Sequence, residues 1–320
     1  MRQTNKIRKG IAWLLCTVLV LGILPMLPQM SMQISAAENA ASVFVDGVEL
    51  HAGGKEYFKN GDTADSGATG TYEDHSAYYD TAGELWLNNL EAHTIKANGN
   101  LTIYVCNNQA TNTNIVTATQ NETAIEVTGY LTIRYGGYGG GTGSLTVESD
   151  GKEAIQAGSG MTVSDGVEVK ARAKSGATAI SSGGVLKIDG IRTKLEAAGD
   201  GSTGKGIFAQ QSIYVKNSAV LTAFGGAAAY ESPSGIDKSG YGYEDYNVFT
   251  GDAAPGTQAA KDTVLDSYKY IRIEPTGVAN VKTLTELQAA AQNQYISLIN
   301  VMNDITITDT VYVRRAVTIQ

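Results

Sequence analysis

Apolar and polar residues between Ala124 and Gly226 alternate on one short template that recurs. Each unit opens on an apolar residue behind a small one, at Ile125, Ile155, Ile180 and Ile207. Eight residues later an apolar-x-apolar triplet closes on Ile133, Val163, Ile188 and Val215. A weaker upstream copy pairs Ile95 with Ile103, so the opening residues lie 30, 30, 25 and 27 apart. A third triplet follows at Leu145–Val147, Val169–Ala171, Leu195–Ala197 and Leu221–Ala223. Three short strands per unit, broken by Gly, Asn, Asp and Ser, describe one coil of a parallel β-solenoid. The expected fold is all-β, a right-handed parallel β-helix of about five recognisable coils under an N-terminal β lid.

Alternation converts the period into faces, because successive strand residues point to opposite sides. Inside the first strand of each coil stack Ile95, Ile125, Ile155, Ile180 and Ile207; inside the second stack Ile103, Ile133, Val163, Ile188 and Val215. Outside, the first face reads Lys96, Glu126, Gln156, Ser181, Phe208 and the second Thr102, Thr132, Thr162, Lys187, Tyr214. The third reads Thr146, Lys170, Glu196, Thr222. A slip of one residue would bury all these polar groups, so the register is strongly specified.

The flanks read differently. Residues 1–37 have a basic start, an apolar run from Ile11 to Leu27 and the small residues Ser35-Ala36-Ala37, the pattern of a cleaved export signal. The chain is therefore expected to be secreted or held at the cell surface, with an uncleaved anchor as the alternative. Residues 38–92 form the lid, with a hairpin from Val43 to Leu50 about the turn Asp46-Gly47 and a strand within Gly83–Leu90. The coils occupy residues 93–275. After Gly226 the pattern dissolves into a Tyr-rich excursion, Tyr230 to Tyr246, and order returns at Tyr268–Glu274, ended by Pro275. Thr283-Leu-Thr-Glu286 is a capping box that opens a helix to about Gln292. Strand-like runs follow at 296–298, 304–307 with 311–313, and 317–319, so residues 279–320 read as the cap helix and first strands of a second β-helix. Further domains are expected beyond residue 320.

Composition narrows the partners. The chain has 320 residues with 37 Gly, 5 Phe and 2 Trp, which suits many turns around a thin core. Its formal charge is −8, and without the four basic residues of the leader 20 basic face 32 acidic residues, a net of −12. Such a surface disfavours nucleic acid. Cys16 lies in the leader and Cys106 is the other cysteine, so the exported chain has no intramolecular disulfide.

The stretch from Val43 to Glu274 resembles the carbohydrate-binding β-helix domains of secreted surface proteins from Gram-positive gut-type bacteria, within the wider pectate-lyase-like superfamily. The residues that carry the resemblance are Val45-Asp-Gly-Val48, Leu85-Trp-Leu-Asn-Asn89, the repeated Leu/Ile-Thr-Ile strands, and Gly251-Asp-Ala-Ala254 ahead of Lys269-Tyr-Ile-Arg-Ile. These are scaffold motifs. The resemblance implies binding of plant or host glycans, in some members with calcium, and maps no ligand residue onto this chain.

The residues offer few sharp sites. His51, His75 and His93 lie in or beside the lid without metal-ligand spacing. Asp150, Lys174 and Asp200 each follow a third-strand position by five residues and should stack on one edge. Asp150 and Asp200 are the candidate calcium ligands, and Lys174 the group a lyase would use as base; the plain alternative is a solvated charge ladder. Phe208 and Tyr214 should face outward near Tyr241 and Tyr243, where an aromatic ring can stack on a sugar. With Thr132 and Thr162 they form the candidate carbohydrate surface. Three functions remain in view: a non-catalytic surface glycan-binding or adhesion module, a polysaccharide lyase or glycoside hydrolase acting on pectin-like glycans, and a structural spacer.

Overall fold

The computed structural model describes residues 38–106, 113–137, 142–237, 244–260, 262–293, 296–313 and 315–320. The export-signal reading falls on residues 1–37, outside the described residues. Among those described, no helix is long and apolar enough to cross a membrane.

The chain winds through three sheets in turn and forms a β-solenoid of about five turns. The first sheet has eight strands, the second nine and the third eleven. Its parallel pairings reproduce the register that the alternation predicts. Ile95, Ile125, Ile155, Ile180 and Ile207 sit opposite one another on successive first-sheet strands. Ile103, Ile133, Val163, Ile188 and Val215 do the same in the second sheet. Leu145, Val169, Leu195 and Leu221 do so in the third. Every one of these side chains is 0 or 1% exposed, while the residues between them remain half-buried or exposed. A strand this short has no helix dipole or cap to hold it. Its stability comes from burying one apolar column against two others and from the ladder bonds to the coils above and below.

The turn from first to second sheet explains part of the glycine content. A Cβ on Gly183 would sit 1.9 Å from the Gly158 carbonyl oxygen, and one on Gly158 would sit 2.1 Å from that of Thr128. Coils pack so closely there that only hydrogen fits at the α-carbon.

Antiparallel strands cover the stack at the N-terminal ends of the first and second sheets and at the C-terminal end of the third, which interrupts the parallel register there. At the N-terminal end the hairpin Ser42–Val45/Val48–His51 pairs with Ile95–Ala97. Its turn residues Asp46 and Gly47 have φ of 50° and 78°, as a two-residue hairpin turn requires. Glu56–Phe58 and Ala77–Tyr79 cover the second sheet in the same way. Glu84–Leu87 and Glu91–Ala92 already pair in parallel with the coil above them, so the stack reaches into the segment read as lid. The loop between Phe58 and Ala77 is tied down by Asp62, a buried carboxylate that accepts from the amides of Lys59 and Thr69 at 2.9 Å and from the Thr69 hydroxyl. Burial alone would raise the Asp62 pKa; the Thr69 hydroxyl and the amides of Lys59, Thr69 and Gly70 outweigh it and hold the carboxyl below its ordinary range.

Three readings change. The pattern does not dissolve at Gly226: Tyr230 continues the Ile207 column and Ile236 continues the Ile213 column. Tyr230 is 3% exposed, and its hydroxyl donates to Asp266. The strand expected to end at Pro275 runs on from Tyr270 to Val281, with a register shift in its pairing to Glu244–Gly251. Of the runs expected after the helix, 317–319 holds the strand Thr318–Ile319, 296–298 shares only Leu298 with the strand Leu298–Val301, and 304–307 and 311–313 are not strands.

The capping box forms as predicted: Thr283 caps the helix Leu284–Gln292, and Glu286 returns a bond to the cap amide. Leu287, Ala290 and Ala291 pack with Ala279, Val281, Ile296 and Ile299 in a separate small core. Val278–Val281, Leu298–Val301 and Thr318–Ile319 pair in parallel. Along them the amides of Asn280, Asn300 and Gln320 form a ladder with bonds of 2.8 and 2.9 Å.

Candidate functional site

The second sheet brings together three of the candidate carbohydrate-surface residues, Thr132, Thr162 and Tyr214. Thr102, Thr132, Thr162, Lys187 and Tyr214 occupy adjacent rungs of one outward row. Beside it runs a second row, Tyr104, Arg134, Ser164, Asp189 and Lys216. The threonines are half-buried, and the Thr162 hydroxyl is engaged with the Tyr130 hydroxyl at 2.7 Å. Tyr214 lies outward as expected, with the Lys216 ammonium 4.6 Å from its ring centroid. Phe208 is outward on the first sheet, on the face where the alternation places it. It carries Lys205 at 5.8 Å from its centroid, and Lys205 is paired with Glu231. Tyr241 and Tyr243 lie outside the described residues.

The largest aromatic array went unrecognised in the sequence. Tyr78, Trp86 and Tyr104 occupy neighbouring rungs of the second sheet. Their rings are nearly parallel: Tyr78 and Trp86 are 5.8 Å apart at 2°, and Trp86 and Tyr104 are 4.1 Å apart at 10°. Lys55 lies over Tyr78 at 5.6 Å and Arg134 over Tyr104 at 5.4 Å, so a cation closes each end of the stack. Tyr57, His75 and the 74% exposed Tyr72 pack onto the lid end of this array. The Trp86 indole N–H donates to Asp80 at 3.0 Å, which fixes the ring. Burial pushes the Tyr78 phenol up to about 12, with nearby Cys106 and Asp80 adding to the shift, so it stays protonated at any physiological pH. The signal was present in the sequence: Tyr78, Trp86 and Tyr104 all fall on the polar phase of their strands, where large rings are out of place unless they pack on one another.

The charged edge of the third sheet is assembled in part. Asp150 and Lys174 are rung neighbours, and Gly199 pairs with Ala173, which brings Asp200 to the next rung. The two aspartates are thus two rungs apart, about 10 Å along the axis, with Lys174 between them. Asp150 accepts from Ser175, and Lys174 lies 3.6 Å from Glu148. Among the described residues no group of three or more His, Cys, Asp or Glu side chains is placed to hold a metal ion. The rest of this face is a lattice of exposed pairs, Lys170 with Glu168 at 3.2 Å and Arg172 with Glu196 at 3.3 Å. Such pairs set surface charge and contribute little stability.

On the first sheet, where the N-terminal hairpin meets the coils, a cleft of about 420 Å³ opens. Phe44 forms one wall, with Asp46, His93, Lys96 and Glu122 around it. Asp46 is held rigidly, its Oδ1 accepting from the amides of His93 at 2.6 Å and Thr94 at 2.9 Å. The His93 Nδ1 lies 3.5 Å from its other oxygen.

Comparisons with protein families, with curated proteins and with solved structures find no match for this chain.

Proposed function

We propose that the chain is an exported, non-catalytic glycan-binding module of the carbohydrate-binding β-helix kind, and that the outward face of its second sheet is the contact surface. One observation carries the reading. Threonine or tyrosine side chains occupy Thr102, Thr132, Thr162 and Tyr214 of a single row that runs unbroken over five rungs. Rungs recur every 4.8 Å or so, close to the length of one pyranose, so a polysaccharide lying along the rod meets a hydroxyl at four of the five steps and the Lys187 ammonium at the other. The Tyr78–Trp86–Tyr104 stack prolongs the same face toward the lid. Because its rings cover one another, it offers sugar hydroxyls a ridge of ring edges rather than an open ring face. The acidic net charge favours neutral polymers over anionic ones.

The test is retention of the purified chain on insoluble and immobilised polysaccharides, both neutral and acidic. At least one neutral polymer should retain it. Tyr214→Ala and Thr132→Ala together should weaken retention about tenfold, equivalent to the loss of roughly 1.4 kcal/mol, with the melting temperature unchanged. Failure of every polymer to retain the wild-type chain, or full retention of the double variant, would remove the second-sheet surface from consideration.

A further inference from the structure

The outward rings of this protein differ in what already covers them. Tyr78, Tyr104, Phe208 and Tyr214 each hold a lysine or arginine of the same chain between 4.6 and 5.8 Å from the ring centroid. Trp86 is sandwiched between Tyr78 and Tyr104. A sugar that stacked on any of these would first have to displace a cation or another ring. Phe44 is placed otherwise. It is 37% exposed on the outward phase of Ser42–Val45 and walls a cleft of the first sheet.

The polar groups of that cleft suit a neutral polyol. Lys96 is the rung neighbour of Phe44, and its ammonium lies 3.9 Å from a Glu122 carboxylate oxygen. That separation is an ion pair rather than a hydrogen bond, between side chains 43 and 47% exposed, so opening it costs little. A hydroxyl inserted there would accept from the ammonium and donate to the carboxylate at once. Asp46 is already fixed by two amides and adds a second negative charge beside the cleft. With Asp46 and Glu122 against Lys96, the cleft disfavours an anionic sugar by simple repulsion.

We propose that this cleft binds a single neutral pyranose, its apolar C–H face on Phe44 and its hydroxyls shared between Lys96 and Glu122. The volume is within the range of small-ligand sites. The site stands on a different sheet from the polymer surface proposed above and does not depend on it. A rod carrying both would grip a chain along one face and a chain end or side branch on another.

Saturation-transfer NMR on the intact chain tests the idea, with the methyl glycosides of glucose, galactose and mannose as probes and methyl glucuronide as the anionic control. At least one neutral glycoside should receive saturation on its ring C–H protons, and the glucuronide should receive much less. Phe44→Ala should weaken binding about tenfold, and Glu122→Gln should weaken it measurably, while Arg172→Ala, on the third sheet, leaves it unchanged. Absence of transfer to all three neutral glycosides, or transfer that survives Phe44→Ala, overturns the proposal. Binding of polymers without methyl glycosides would leave the second-sheet reading and sink the cleft; the reverse pattern would do the opposite.

Discussion

Replacing Gly183 with alanine puts the closeness of the coils to a direct test. The added Cβ would meet the Gly158 carbonyl oxygen at 1.9 Å and its carbon at 2.6 Å. Ordinary contact begins near 3.4 Å, so the two coils must part by roughly 1.5 Å at this turn. The amide of Gly183 donates to the Ala157 carbonyl at 2.8 Å, and that of Gly158 to Val127 at 2.8 Å. A shift of that size breaks the first bond, at about 1 kcal/mol, and strains the packing by a further 1 to 3 kcal/mol or so. The expected loss is therefore about 2 to 4 kcal/mol. Gly54→Ala is the control, because nothing lies within 4 Å of its Cβ position, and it should stay within about 0.5 kcal/mol of the parent. Urea unfolding followed by far-UV circular dichroism reads the whole stack. Fluorescence of Trp86, the one tryptophan among the described residues, reads its N-terminal end. In a quasi-one-dimensional fold a defect at Gly183 should also separate the two transitions. A Gly183→Ala midpoint equal to that of Gly54→Ala would show that the coils are not packed as described.

The inward column should tolerate no charge: Ile155→Asp buries an unpaired carboxylate and should unfold the rod, whereas Glu126→Ala, at a half-buried outward position one rung away, should change stability by less than about 0.5 kcal/mol. Equal damage in thermal melts would refute the assigned alternation. The lid should loosen in acid. Asp62 and Asp74 both have lowered folded pKa values, Asp74 chiefly through the side-chain hydrogen bonds from Lys59 and Thr71. Their contribution is thus fully present above the unfolded value of about 3.9 and is lost as pH falls through the folded value. Near-UV circular dichroism of the lid tyrosines should fall below about pH 4 before the far-UV signal of the coils does, and Asp62→Asn should remove most of that step; coincident loss of both signals would refute it.

The coils could be read from sequence because two constraints act on the same residues. A period of two sends each isoleucine inward, and a slip of one would bury Glu126, Lys187 or Glu196, so pattern and register cannot be varied separately. Where a polar residue occupies an inward position, the reading failed. Asn114 heads the third strand of the first coil and is fully buried, accepting from the Leu90 amide at 3.0 Å and donating to the carbonyls of Cys106 and Ser144. No local pattern reveals such a strand, since the bonds that make it tolerable come from 8 to 30 residues away. Tyr230 failed for the same reason: a tyrosine can continue an isoleucine column only if a group such as Asp266 accepts a hydrogen bond from its hydroxyl.

The candidate surfaces fall on both sides of that divide. The outward placement of Thr132, Thr162 and Tyr214 on one row was legible because they lie on coils whose register repeats, and a face made by repetition can be read from any one of its units. The Phe44 cleft and the Tyr78–Trp86–Tyr104 stack were missed because each spans a junction between cap and coil. Phe44 meets Lys96 only through antiparallel pairing across 52 residues, and Trp86 meets Tyr104 through a parallel step of 18, shorter than any repeat of the coils proper. The cap strands pair antiparallel with the first coil, so they leave the periodic register. That departure gathers rings and charges that no single repeat contains. In a solenoid of this kind, residues specific to one ligand are therefore to be sought first where the repeat is broken.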